Sequence, residues 1–311
     1  MIINEQNSIK NSLVLYELSE KFIFLINLFN EKKFPKVLML SGKKGIGKST
    51  LINHLITCIN DRPNYNLKNN TINNHTSFYK RHLNNTFPDI IYLEGLSYKN
   101  VKVEDIRNLK SILLKSSLSG GNRFVILDDV ELFNANSLNA LLKIIEEPPG
   151  NNYFILINNQ TKPLVETIHS RSIEIKMSLS NSKRKTIIET LIKNRGLETL
   201  LDYNISDLTP GNYLLYNEIC IKNHIDVDQD FIEILKKLLF LYKKNKETNI
   251  INLTLFLTEY YFYNLYISKV YSLDEIYDNK TYVINNINKF VAYNLSQNSL
   301  INSIKSKLTN G

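Results

Sequence analysis

The chain has 311 residues, enough for two or three domains, and 43% of them are hydrophobic, enough to build real cores. Its two cysteines, Cys58 and Cys220, exclude a disulfide framework and a four-cysteine zinc module, and both read as small apolar core residues of a reducing compartment. The net charge of +8 suits a nucleic-acid partner, but lysine is spread throughout, and only 183–185 and 243–246 approach a basic block, so the charge reads as solvated faces.

In chain order, the opening M-I-I-N-E-Q-N lacks the basic and apolar regions of a signal peptide. Ser19 is placed to cap a helix running to about residue 32, with Phe22, Leu25, Ile26 and Phe29 on its buried face. Residues 36–40 are an apolar run that predicts a buried strand. Glycines at 42, 45 and 47 then mark a turn. Leu51, Ile52, Leu55 and Ile56 share one face of a helix that fades near residue 60. Gly42, Gly47, Lys48 and Ser49 fit G-x-x-x-x-G-K-[ST] without a mismatch. Glycine lets backbone N–H groups curl around phosphate oxygens with no Cβ in the way. The helix N-terminus adds partial positive charge. Lys48 can reach the β- and γ-phosphates, and the Ser49 hydroxyl can take one Mg2+ position. Gly42, Gly45, Gly47, Lys48, Ser49 and Thr50 are therefore the expected binding set for a nucleoside triphosphate.

Residues 60–88 turn polar and Asn-rich, with lone His75 and His82 that read as loop residues. A connection of that length predicts short helices or a partly mobile stretch. Strands are expected at 89–93, 123–127, 153–157 and 173–177. Helices are expected at 104–115, 135–146 and 164–169, with a turn at 119–121. Pro148-Pro149-Gly150 stops the 135–146 helix. Strands alternating with helices through crossovers predict an α/β domain, a parallel sheet with helices on both faces. The 123–127 strand delivers Asp128-Asp129 to the edge of the sheet where ligands bind. There Asp128 would hold Mg2+ through water, and Asp129 would polarise an attacking water.

After Met177 the strand signals cease. A helix from Ser180 or Asn181 to Asn194 ends at Gly196, Pro210-Gly211 makes a break, and helical patterns follow at 231–242, 253–270 and 282–295. The aromatics at 256–266 read as core or subunit interface. Asp226, Asp228 and Asp230 mimic the start of a calcium loop, but Phe231 and Lys237 replace its glycine and glutamate, so these acids read as caps. Asn27, Glu259 and Asn264 interrupt the two most apolar runs, which argues against a membrane span. The expected divisions are an α/β nucleotide-binding domain over 1–177, a small helical lid over 178–218 and an all-α domain over 219–311, in a cytoplasmic protein with no membrane partner.

L-N-A-L-L-K-I-I-E-E-P-P at 138–149 and T-I-H-S-R-S at 167–172 resemble bacterial sliding-clamp loaders, the AAA+ subunits of the DNA polymerase III holoenzyme. V-E-D-I-R at 103–107, F-P-D-I at 87–90 and the G-I-G-K loop join the resemblance, which spans roughly 12–177. It is nearer the delta-prime type than the tau/gamma motor, whose four-cysteine module has only Cys58 in its place here. The resemblance implies ATP and Mg2+ as cofactors and no zinc. It implies a five-subunit ring with tau/gamma and delta subunits, held by C-terminal collar domains. That ring opens a sliding clamp and closes it around primer–template DNA. Arg171 then becomes an arginine finger offered to a neighbouring motor subunit. Three departures mark this chain. Ser172 replaces the family's cysteine, Pro210-Gly211-Asn212 lacks the lid's basic residue, and Asp129 stands where an active motor has glutamate. The water-positioning residue at the strand end falls on Asn158 or its neighbour Asn159. The departures imply nucleotide binding with weak or no hydrolysis by the isolated chain. The alternative is a self-sufficient homo-oligomeric AAA+ ATPase acting on DNA or protein, which solo turnover would reveal. A small-molecule kinase would need an acceptor-binding domain, of which the helical C-terminal half gives no sign.

Overall fold

The computed structural model describes residues 12–95, 101–117, 120–204, 206–269 and 271–309. The apolar runs become strands of one sheet. In chain order the elements are α1 (Ser19–Asn30), β1 (Val37–Ser41), α2 (Lys48–Asn60), β2 (Tyr65–Asn66), β3 (Thr71–Ile72), α3 (Ser77–Leu83) and β4 (Ile90–Glu94). Then come α4 (Val103–Leu113), β5 (Arg123–Asp128), α5 (Ala135–Ile145), β6 (Asn152–Asn158), α6 (Glu166–His169) and β7 (Ile173–Lys176). The sheet order is β4-β5-β6-β1-β7, and every pairing in it is parallel.

Period-two alternation sorts the strand residues onto the two faces. Leu38, Leu40, Phe124, Ile126, Ile155 and Ile157 join Phe22 and Leu25 of α1 and Leu51 and Leu55 of α2. Val37, Met39, Val125, Leu127, Phe154 and Leu156 join Ile106 and Leu109 of α4 and Leu138 and Leu141 of α5. Each fully buried side chain of this kind contributes about 1.5–3 kcal/mol. These two layers fix β1 in the sheet and aim its C-terminal end at the turn that follows.

Ser19 departs from expectation. It is the first residue of α1 rather than its cap, and its hydroxyl accepts from Asn70 Nδ2 at 2.8 Å. The polar 60–88 stretch holds a turn at Arg62–Asn64, the antiparallel β2–β3 pair and α3. His82 lies in α3, stacks on Phe78 with ring centroids 5.8 Å apart and bonds Asn53 Oδ1 at 3.3 Å. It is thus a helix residue rather than a loop one. The first eleven residues, position 119 of the expected turn and Val270 at the end of the expected helix lie outside the described residues.

The chain divides into two compact units, Met1–Leu191 with Thr209–Asn212, and Ile192–Leu208 with Tyr213–Gly311. The divisions after Leu191 and Asn212 fall within α7 (Asn181–Arg195) and α8 (Pro210–Lys222), and the one after Leu208 falls just before α8. The loss of strand pattern after Met177 marks the end of the sheet but not the end of the packed unit. Lys183 of α7 pairs with Glu17 at 3.4 Å, inside the first unit. In the second unit α9 (Phe231–Asn245), α10 (Thr248–Ser268), α11 (Leu273–Tyr293) and α12 (Gln297–Thr309) enclose Leu235, Leu239, Phe262, Val283, Ile287 and Ile304. Asp230 caps α9, accepting from the N–H groups of Ile232 and Glu233 at 3.1 and 3.2 Å. Among the described residues no helix is long and apolar enough to cross a membrane.

Candidate nucleotide-binding site

The turn from β1 to α2 is forced by its glycines. Gly47 stands at the N-terminus of α2 with φ +97°, a left-handed conformation that favours glycine. Lys48 follows as the first helical residue. It is 3% exposed, and its amine donates to the carbonyl oxygens of Gly42 and of Lys43, the latter at 2.9 Å. Burial pulls that amine down to about 8, against the charges of Asp128, Glu131 and Asp129, which hold it up. Ser49 Oγ lies 3.4 Å from Asp128 Oδ2. Thr50 is half-buried on the first turn of α2.

β5 carries Asp128 to the same end of the sheet, two strands from β1. Asp128 is 2% exposed. Its Oδ2 accepts from the Tyr92 hydroxyl at 2.7 Å, and its Oδ1 accepts from the Asp129 N–H at 2.9 Å. Asp129 is fully buried with φ +51°. Lys44 Nζ sits 3.4 Å from both of its carboxylate oxygens. Burial, and then the charge of Asp128, raise the Asp129 carboxyl above its ordinary value. Glu94 ends β4 in register with Asp128, and one oxygen from each of Glu94, Asp128 and Asp129 lies within 4.8 Å of the others. Three carboxylates beside a serine hydroxyl form an oxygen-donor set of the kind Mg2+ prefers.

Asn158 pairs with Ser41 as the last residue of β6, and its side chain turns to accept from the N–H of Gln160 at 2.9 Å. The adjacent residue reaches the acids instead. Asn159 Nδ2 donates to Asp129 Oδ1 at 2.7 Å and to Asp128 Oδ1 at 3.2 Å. Glu131 braces this turn, its Oε1 accepting from the Asn159 N–H at 3.1 Å and the Thr161 hydroxyl at 2.8 Å. The structure therefore brings together Lys48, Ser49, Asp128, Asp129 and Asn159, the second of the two asparagines expected at the strand end, and adds Lys44, Tyr92, Glu94 and Glu131. Of these additions only Glu94 left a usable signal, an acid closing the apolar 90–93 run.

Arg171 stands elsewhere. It lies between α6 and β7, at the edge where strands begin. Its guanidinium donates to Glu146 Oε1 at 3.0 Å and to the Thr167 carbonyl at 3.2 Å. A strand of five residues separates that edge from the phosphate loop by about 15 Å.

The strand order β4-β5-β6-β1-β7, the phosphate loop after β1 and the acids ending β5 define a parallel-sheet AAA+ fold with a helical C-terminal region. A DNA polymerase III gamma subunit-related protein of Thermotoga maritima shares it, with TM-score 0.51 over 90% of this chain and 96% of that one at 16% identity. The family described as DNA polymerase III, delta subunit matches residues 18–181, and the chain belongs to that family. DNA polymerase III subunit delta' of Pseudomonas aeruginosa is 37% identical over 29% of this chain and 27% of its own length. The same subunit of Buchnera aphidicola subsp. Schizaphis graminum is 26% identical over 66% of this chain and 59% of its own. The chain thus spans less than two thirds of the length of the curated relatives it matches.

Proposed function

We propose that this chain is a delta-prime-like, cytoplasmic subunit of a DNA polymerase III clamp loader that binds Mg-ATP and supplies Arg171 to a neighbouring tau/gamma motor subunit. Together with a delta subunit, such an assembly would load a sliding clamp on primer–template DNA. One observation carries the reading: the phosphate loop and the acid pair share one edge of the sheet, while Arg171 stands at the opposite edge. An arginine so placed is out of reach of its own loop and suits a site on another subunit. Gly42, Gly45, Gly47, Lys48, Ser49 and Thr50 would cradle the phosphates, and Ser49 with Asp128 would hold Mg2+. The metal would neutralise charge between the phosphates. Asp129 is tied to Asn159 and Lys44, which supports slow hydrolysis by the isolated chain.

The test is calorimetry with Mg-ATP on the wild-type protein and Lys48→Ala. Loss of one charge-assisted contact, about 1.5–3 kcal/mol, should weaken binding tenfold or more while the fold persists. Equal affinity in the two proteins would remove Lys48 from the site. Rapid ATP turnover by the isolated protein would favour a self-sufficient homo-oligomeric ATPase.

A further inference from the structure

Gly45 occupies a position that the phosphate-loop signature leaves open, yet the structure leaves no room there for a side chain. It has φ +84°, and a Cβ would collide with the Thr209 hydroxyl and come within 2.8 Å of the Asn212 N–H nitrogen. The approach is mutual, since a Cβ on Gly211 would lie 2.8 Å from Gly45 Cα and 2.9 Å from its carbonyl oxygen. Residues 209–212 therefore rest directly on the phosphate loop, and both belong to the first unit. Two hydrogen bonds fasten them. Thr209 Oγ1 donates to the Lys44 carbonyl at 2.6 Å, and the Gly211 N–H donates to the Gly45 carbonyl at 2.8 Å.

These bonds fix two successive peptide planes. In a trans peptide the C=O and the following N–H point in opposite directions. Holding the Lys44 and Gly45 carbonyls toward 209–212 turns the N–H groups of Gly45 and Ile46 the other way. Successive N–H groups turned the same way form a concavity that binds anions. We infer that Thr209 and Gly211 are positioning residues for the nucleotide, which preset the phosphate-binding amides of Gly45 and Ile46 without touching the ligand. This inference rests on the proposed nucleotide binding at the loop. It gives the 209–212 segment a role although Asn212 stands where a lid arginine would contact the γ-phosphate directly.

The experiment compares Mg-ATP and ADP affinities, by calorimetry, for wild type, Thr209→Val and Thr209→Ser, with thermal unfolding of each protein. Valine keeps the volume and removes the donor; serine keeps the donor. The loop amides hold the α- and β-phosphates that ATP and ADP share. Thr209→Val should therefore weaken both ligands alike, by about three- to tenfold, as the loss of one neutral hydrogen bond allows. Thr209→Ser should restore wild-type affinity, and the midpoint of unfolding without nucleotide should stay within about 2 °C of wild type in both. A loss confined to ATP would mean direct γ-phosphate contact and overturn the inference. So would unchanged affinity in Thr209→Val, or a loss accompanied by a fall in unfolding midpoint that serine fails to rescue. Wild-type protein that binds neither nucleotide would overturn the proposed function along with it, whereas a binding wild type with an unaffected valine variant would overturn this inference alone.

Discussion

Two arginines stand at the same edge of the sheet, where the strands begin, and the fold treats them in opposite ways. Arg123 opens β5 and is 4% exposed. Its guanidinium donates to the carbonyls of Ile112 at 3.0 Å, Lys115 at 3.2 Å and Ser116 at 3.1 Å, and lies 3.5 Å from Asp89. Those groups come from the C-terminal end of α4, the segment after it and the approach to β4, so one side chain gathers three pieces of chain. Arg171 has a side chain 34% exposed, and its ion-pair partner Glu146 is 59% exposed. A guanidinium buried among fixed acceptors is committed to the fold. One held at the surface by a solvated carboxylate and the Thr167 carbonyl gives up little when it exchanges the carboxylate for another anion.

Substitution separates the two arginines. Arg123→Met should have the largest effect on stability. It leaves Asp89 in the interior without this guanidinium and deprives three carbonyls of a donor, at a cost of about 3–5 kcal/mol. Denaturant unfolding gives the number, and a loss under 1 kcal/mol would make Arg123 no more structural than Arg171.

The next effect belongs to His54, which extends the same rule to a neutral group. It is 0% exposed, with Nε2 2.9 Å from the Ser12 carbonyl and Nδ1 2.9 Å from the Tyr65 hydroxyl. A carbonyl only accepts, so Nε2 carries the proton and Nδ1 accepts from the tyrosine. Burial lowers its pKa from 6.5 to about 4. The folded state then binds fewer protons than the unfolded state between those values. Its contribution, up to about 3 kcal/mol, is complete above pH 6.5 and is lost as pH falls toward 4. Replacing His54 with Gln should flatten that part of the stability–pH curve, and an identical slope in the variant would refute the assignment.

The smallest effect on stability is expected from Arg171→Ala. A surface ion pair of this kind contributes about 0–1 kcal/mol, so the unfolding midpoint should barely move. Glu146→Gln should be as mild. A loss above 2 kcal/mol for Arg171→Ala would show that the arginine is committed to the fold after all.

What the sequence made legible follows the reach of its signals. The phosphate loop, Asp128 and the strand–helix alternation are local patterns, and each stands where those patterns put it. The parallel sheet follows from them, because strands joined by crossover helices have little other choice. Two partners of the acids were not legible. Tyr92 and Lys44 reach Asp128 and Asp129 from separate segments, and no spacing along the chain announces that convergence. The choice between Asn158 and Asn159 depended on where β6 ends, and a shift of one residue turns a side chain from one face to the other. Thr209 meets Lys44 across 165 residues of sequence, and that contact moves a piece of the expected lid into the first unit. Composition marked the end of the strands at 177, but tertiary hydrogen bonds decided which segments pack as one.

Under the proposed function, Arg171 acts on a site outside its own subunit. The direct measurement is the DNA- and clamp-stimulated ATPase of a clamp loader reconstituted with tau/gamma and delta subunits, comparing wild type with Arg171→Ala and checking assembly by gel filtration. Arginine fingers contribute about 10³–10⁵ in rate at the site they serve. The proposed function predicts a fully assembled variant complex whose hydrolysis at the adjoining motor site, and whose clamp loading, fall sharply. Unchanged hydrolysis in an assembled Arg171→Ala complex would contradict it and leave Arg171 as a surface partner of Glu146.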